Sequence, residues 1–245
     1  MRTSLVLITM VLCPLVSQAQ QTPQAIIEKA IEAHGGKARL AGFRSERVKL
    51  KGTLHVGSKP LPFTNEQAVQ LPGQYRSTVT LDDGMKSHSI VHLLDGEKAA
   101  ILLDGQPQEV QGPQLAQLKQ TLQLEEALRL VPLISNPEFK LQLLPEVRYN
   151  NLVFTGIRVT GKGQRDLKLF FDGASGLLVK TEHRLDGPSG KDVIQEAFYA
   201  DYRNLNGHLR AGKVVVLRDG KKVMEAELVT AQRVERIDPI EFSRP

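Results

Sequence analysis

The chain has no tryptophan, one cysteine and only 5% aromatic residues among its 245 positions. Cys13 alone cannot build a disulfide framework within the chain, and it cannot supply a thiolate metal site. Few aromatics and no basic run leave base stacking and phosphate tracking without their side chains, so no nucleic-acid partner is expected. The formal charge of +5, spread along the chain, reads as a solvated surface, with a weak pull toward anionic membranes as the other option. Catalytic signatures are also missing: there is no GxSxG elbow, no HExxH, no phosphate-cradling glycine loop and no cysteine nucleophile. The expectation is a non-enzyme with no cofactor and no metal. An acid–base pair assembled only by folding stays open.

What is present begins with MRTSLVLITMVLCPLVSQA, where Arg2 precedes an apolar run from Leu5 to Val16 and a small-x-small end at Ser17 to Ala19. This predicts a signal peptide over 1–19, cleaved near Ala19, and an exported chain of 226 residues, which the resemblance given below implies is periplasmic. The run is too short to span a bilayer, and no later stretch is long and uncharged enough. Leu12 before Cys13, where lipid attachment needs a small residue, disfavours a lipid anchor.

Thr22-Pro23, with Ile27, Ile31 and His34 at helical spacing, predicts an amphipathic helix ended by Gly35-Gly36. His34 at its end would favour the charged form through the helix dipole. From Glu46 the period becomes two, with Val48, Leu50, Leu54 and Val56 alternating with polar residues. Turns at 57–60, Pro72-Gly73, Asp82-Asp83-Gly84, Asp95-Gly96 and Asp104-Gly105 then mark an antiparallel meander. A helix is expected from Pro113 to Val131, carrying Leu115, Leu118 and Leu122, and ended by Pro132 and Pro137. Glu28 and Glu32, and Glu125 with Glu126, read as helical neighbours on wet faces.

Strands resume at Phe139. The stretch DLKLFFDGASGLLVKTEHRL, residues 166–185, predicts a hairpin with Leu167, Leu169, Phe171, Leu177, Val179 and Leu185 on one face and Lys168, Lys180, Glu182 and Arg184 on the other. Three long strands follow, over 192–204, 209–218 and 221–237. Gly161-Lys-Gly163 reads as a hairpin turn. His88 and His92, four apart on a strand, stand about 13 Å from each other and cannot share an ion. His55, His183 and His208 each lack a partner at ligand spacing.

The fold class is therefore mainly β: one strongly curved antiparallel sheet of about eleven strands with two or three helices against its concave face, which the resemblance given below implies is an unclosed barrel. Such a sheet leaves an aliphatic trough that little helix can fill. Strand alternation puts Val48, Leu50, Leu54, Val79, Leu141, Leu143, Val159, Leu167, Leu169, Leu177 and Val179 on the lining, beneath lid residues Ile27, Ile31, Leu115, Leu118 and Leu122. A register error of one residue would invert a whole strand's set.

The opening helix, FTNEQAVQLPGQYRSTV, VHLLDGEKAAIL, the central helical insertion, LKLFFDGASGLLVKTEH, IQEAFYADYRNLNGH and the closing IDPIEFSRP together resemble the LolA-like lipoprotein carriers of the bacterial envelope, the LolA, LolB and LppX type. The resemblance covers nearly all of 20–245 as one half-barrel domain. It implies a monomeric, non-enzymatic carrier whose hydrophobic cavity receives an acyl chain, lipid or lipoprotein, with transient contacts to envelope membrane proteins. It also implies a basic latch residue before the proline of a strand turn; Leu71 stands there instead, ahead of Pro72, with Arg76 nearby. The alternative is an envelope interaction module whose core is filled by its own side chains.

Overall fold

The computed structural model describes residues 21–42, 44–57, 59–149, 152–161, 165–187 and 191–243. The expected signal peptide with Cys13, and the expected 161–163 turn beyond Gly161, lie outside the described residues. Helix α1 (Pro23–Ala33) starts where Thr22 Oγ1 accepts from the Ala25 N–H at 3.1 Å, and it buries Ile26, Ile27, Ala30 and Ile31. It stops at Gly35, whose φ of +125° suits glycine alone. A Cβ there would lie 2.6 Å from the Gly207 carbonyl oxygen, so this corner also needs the missing side chain. Helix α2 (Lys37–Ala41) follows.

A meander of β1 (Ser45–Val56), β2 (Lys59–Gln70), β3 (Gln74–Asp82), β4 (Ser87–Asp95), β5 (Lys98–Leu103) and β6 (Gln106–Gln108) comes next. The chain then forms α3 (Gly112–Ala127) and α4 (Val131–Ser135). It returns through β7 (Lys140–Leu143), β8 (Val147–Tyr149), β9 (Leu152–Thr160), β10 (Leu167–Asp172), β11 (Leu178–Asp186) and β12 (Asp192–Ala200). A small hairpin, β13 (Arg203–Leu205) and β14 (His208–Arg210), precedes β15 (Lys213–Arg218) and β16 (Lys221–Val234). A single 3-10 turn, Pro239–Phe242, closes the described chain.

Fourteen strands form one antiparallel sheet in the order β6-β5-β4-β3-β2-β1-β16-β15-β12-β11-β10-β9-β7, with β8 also on β9. β6 and β7 do not pair with each other, so the sheet is not closed into a barrel. The count exceeds the expected eleven because three-residue strands join the sheet, β6 at one edge and β8 cut off from β7 in the stretch after Phe139, while β13 and β14 pair in a two-stranded sheet of their own. Asp201, at φ 52°, ends the 192–204 run, and β14 is separated from β15, so the 209–218 stretch is two strands. Among the described residues the α-helices number four rather than two or three, and two have only five residues. Pro132 opens α4 instead of ending α3, because proline fits a first helical turn.

The predicted hairpin is present, but its alternation resets. Leu167 faces His183, Leu169 faces Thr181, and Phe171 faces Leu178, with a bulge between Phe170 and Phe171. One extra residue in β11 therefore replaces the expected Leu177 and Val179 by Leu178, Thr181 and His183 on the buried face. The outer face carries the expected charges: Lys168 and Lys180 lie 2.6 and 3.1 Å from Glu182.

Two cores lie on the inner face. The larger joins α1, α2, α4 and the end of α3, through Ala127, to β9–β11 by way of Ile27, Ile31, Leu130, Ile157, Val159, Leu169 and Phe171. The smaller joins α3 to β2–β4 through Leu118, Val69, Tyr75 and Leu94. On the opposite face, Ile237 and Phe242 cover Ala68, held by the Arg47–Glu241 ion pair and by Arg76 donating to the Glu241 carbonyl at 3.0 Å. Leu169 is fully buried in the larger core. Leu169→Ala should lower the unfolding free energy by about 3 kcal/mol in denaturant titrations, whereas Val147→Ala, at an exposed edge, should stay within about 0.5 kcal/mol.

Candidate ligand-binding site

Between the two cores, beneath the C-terminal half of α3, lies a hollow of about 310 Å³. Six neighbouring strands, β2, β1, β16, β15, β12 and β11, contribute to its wall, which requires the sheet to curl. Leu50, Leu124, Leu128, Leu178, Val216 and Leu228 give it an apolar side. A wider groove of about 760 Å³ runs along α3 and the ends of β11 and β12. Its walls include Gln117, Lys119, Gln120, Arg165, Asp186 and Arg218, so an apolar chain would find few partners there.

The other side of the hollow is ionic, contrary to the expectation of a mainly aliphatic interior. Glu46 continues the inward set of Val48 and Leu50 two residues earlier, paired across β1 with Val69 and Arg233. It forms an ion pair with Arg210, and its other carboxylate oxygen lies 3.9 Å from Arg233 Nε. Arg210 reaches the hollow because its hairpin is docked on the α1–α2 corner, where Leu209 N–H donates to the His34 carbonyl at 3.0 Å. From the C-terminal end of α3 and the turn after it, Glu125 and Arg129 face the same space. Glu125 was expected on a wet face; it turns inward because α3 has no consistent apolar stripe to set its roll. The chain then bends at Leu130, which adopts φ 62° with its side chain buried in the larger core.

Electrostatics follow from this crowding. Burial opposes ionisation of Glu46, yet Arg210, Arg129 and Arg233 together hold its carboxyl below the ordinary range. Glu125 is pushed up by burial, against the pull of Arg210 and Arg129. His34 Nδ1–H donates to the Ala30 carbonyl at 2.7 Å, and the ring stacks edge-on to Tyr202 at 5.5 Å. Its pKa is lowered by burial, so the helix terminus does not keep it charged as expected. Burial, reinforced by Arg233 and Arg210, pushes His208 down to about 4. Burial also raises the Tyr199 hydroxyl to about 12, and that hydroxyl lies 3.2 Å from Thr181 Oγ1.

Of the eleven residues expected to line the trough, Leu50 faces the hollow. Val159, Leu167 and Leu169 are instead packed in the larger core, with Leu141 against it and the lid residues Ile27 and Ile31 inside it. Leu118 is buried in the smaller core, and Leu115 and Leu122 pack around it. Val48 is buried, while Leu54 and Val79 are half-buried on the same inner face. Leu143 is 41% exposed at the sheet edge, and Leu177 and Val179 are half-buried around the bulge. Strand alternation missed the ionic residues because it was read for apolar positions only. Glu46, in phase with Val48, was the available signal.

Leu71, at the expected latch position, packs against the cluster of Val69, Tyr75, Leu94 and Leu118, as do Leu115 and Leu122 of α3. Arg76 points to the opposite face, toward Glu241. His88 and His92 are both half-buried, with His88 Nδ1 2.8 Å from Asp104 Oδ2. Among the described residues, no group of three or more His, Cys, Asp or Glu side chains could hold a metal ion, and no helix is long and apolar enough to cross a membrane.

Solved structures share this architecture. A LolA superfamily protein from Nitrosomonas europaea superposes with a TM-score of 0.60 at 13% identity, covering 91% of this chain and 98% of that one. A domain named for outer membrane lipoprotein sorting, from Vibrio parahaemolyticus, gives 0.55 at 11% identity, covering 90% and 97%. A DUF1329 family protein from Desulfovibrio piger gives 0.53 at 11% identity, covering 90% and 96%. The chain therefore has a LolA-like fold. No protein-family model and no curated protein sequence matches it.

A histidine whose folded pKa lies below its unfolded value binds fewer protons when folded. Its stabilising contribution is full above about pH 6.5 and is lost as the pH falls toward about 4 for His208. The denaturant midpoint should therefore decline over that window, less steeply in His208→Asn. An equal slope in both proteins would show that His208 is not buried in its neutral form.

Proposed function

We propose that this chain is an exported, periplasmic carrier that holds one acyl chain, of a lipid or lipoprotein, between the inner face of its sheet and the lid helix α3. The observation that carries this reading is the hollow itself: about 310 Å³ of unfilled space beneath a helix, at the small end of the range for ligand sites. The shared fold with proteins named for LolA and for lipoprotein sorting supports it. The size argues for a single chain, and a bulkier ligand would need α3 to lift.

Each methylene withdrawn from water contributes about 0.8 kcal/mol, so a ten-carbon chain offers on the order of 7 kcal/mol before ordering costs. Lid opening opposes that gain. Leu118 and the partly buried Leu115 and Leu122 would leave Leu71, Val69 and Leu94, at up to about 2 kcal/mol for each large apolar side chain exposed. Leu71 thus serves as an apolar latch where the resemblance implies a basic one. At the end of α3 and the turn after it, Glu125 and Arg129 would also leave Arg210 and Glu46. Capture and release follow from the balance between ligand burial and these contacts.

The self-filled interaction module gains support from the tight packing of Val159, Leu167 and Leu169, but it gives no role to the hollow. A naphthylamine dye that brightens in apolar surroundings distinguishes the two. The mature protein should enhance its fluorescence and release it on addition of a fatty acid. Leu50→Trp, which fills the hollow from a half-buried wall position, should weaken dye binding about tenfold or more with little change in the thermal unfolding midpoint. Absence of dye enhancement in the wild-type protein would favour the module.

A further inference from the structure

The groove along α3 differs in chemistry from the hollow, and the two share no lining residue. Its helical wall carries Gln114, Gln117, Gln120 and Gln123, a carboxamide at every third position. At about 1.5 Å of rise per residue this row is about 13.5 Å long, the reach of about four residues of extended chain. Ala116, Leu185 and Val193 add small apolar patches beside and across from it.

Ions in the groove are already paired: Arg165 bridges Asp186 and Asp192, and Lys119 pairs with Glu97. Hydrogen-bonding capacity is left on neutral groups instead. Gln123 is only 5% exposed, yet it lines the groove and its Nε2 has no hydrogen-bond partner among the described residues. His183, 7% exposed, likewise has no partner there for Nδ1. Both border one cleft of about 10 Å³ that also touches Gln120 and Arg165 of the groove wall, so it lies at the groove's floor. That volume suits a single polar group. Burial, with Arg218 nearby, lowers the His183 pKa, which keeps the ring neutral and lets Nδ1 accept. Gln120 Nε2 donates to the Arg184 carbonyl at 2.9 Å, which holds the row against β11 and leaves Oε1 to accept.

A buried donor and a buried acceptor without partners are destabilising, and a ligand that supplies the complementary groups removes the penalty. No aromatic ring lines the groove, so a sugar would find no face to stack on. Backbone amides present donors and acceptors at short, regular intervals without net charge, which is what the glutamine row complements.

We propose that this groove binds an uncharged peptide segment in extended form, its backbone along the glutamine row, with Gln123 Nε2 donating to a carbonyl and His183 Nδ1 accepting from an N–H at the floor. The small apolar patches receive its side chains. This inference goes beyond the carrier reading and does not depend on it.

An array of short blocked peptides in uncharged, acidic and basic sets, probed with the labelled full mature chain, selects a ligand, and fluorescence polarisation then measures its affinity. The tightest binders should be uncharged. Methylating the backbone nitrogens of the selected peptide should weaken binding about tenfold or more, the effect of one lost hydrogen bond. Gln123→Leu should weaken it to a similar extent while the thermal unfolding midpoint stays equal or rises, because no bond within the described chain is lost. Ala116→Trp, at an exposed helical position, should obstruct the groove without disturbing a core. No binding in the uncharged set, equal affinity of the methylated peptide, or unchanged affinity in both variants overturns the proposal. A preference for acidic peptides that vanishes at high salt overturns it in favour of the groove's cations. Loss of binding in Leu50→Trp but not in Ala116→Trp also overturns it, by placing the peptide in the hollow.

Discussion

A sheet that curls without closing has more inner surface than a few short helices can cover. Here the helices solve this by forming two cores rather than one, with α1, α2, α4 and the end of α3 against β9–β11 and the rest of α3 against β2–β4. Close packing within each core is satisfied locally, by fully buried residues such as Ile157, Leu169 and Leu94. The strip of sheet between them, from β1 through β16 and β15 to β12, is spanned but not filled. Everything proposed about acyl-chain uptake depends on that strip.

The strip's ionic wall is a consequence of the same geometry. A fully packed core could not accommodate Glu46 and three arginines without large desolvation penalties, but the edge of a hollow can. Pairing explains why the penalty is tolerated: the Glu46–Arg210 contact joins β1 to a hairpin that is itself fastened to α1 through Leu209 and His34. Gly35 permits that docking by leaving room for the Gly207 carbonyl. A sequence-distant chain of small local facts thus puts charge at the centre of the molecule.

Much of the fold was legible because local chemistry decides it. Thr22-Pro23 and Gly35-Gly36 bracket α1 as capping rules require, and the Asp-Gly turns separate β-strands as turn rules require. The 166–185 hairpin was legible in pairing but not in phase, since nothing in the sequence of β11 announces the bulge that moves Leu178 inward and Val179 aside. The break after α3 was hidden for a similar reason: Leu128 to Leu130 fit a helical pattern, and the turn at Leu130 is maintained by tertiary burial. The site was the least legible part. Its walls come from strands far apart in sequence, and apolar alternation selects the residues that pack the cores better than those left facing the gap.

Photolabelling with a diazirine-bearing decanoate, followed by peptide mapping, tests the central claim most directly. The account predicts labels concentrated on 124–130 of the lid side and on 214–228 of the sheet, competed away by unlabelled decanoate. Labels spread over the exposed edge residues Val147, Tyr149 and Leu152, or none that compete, would contradict it.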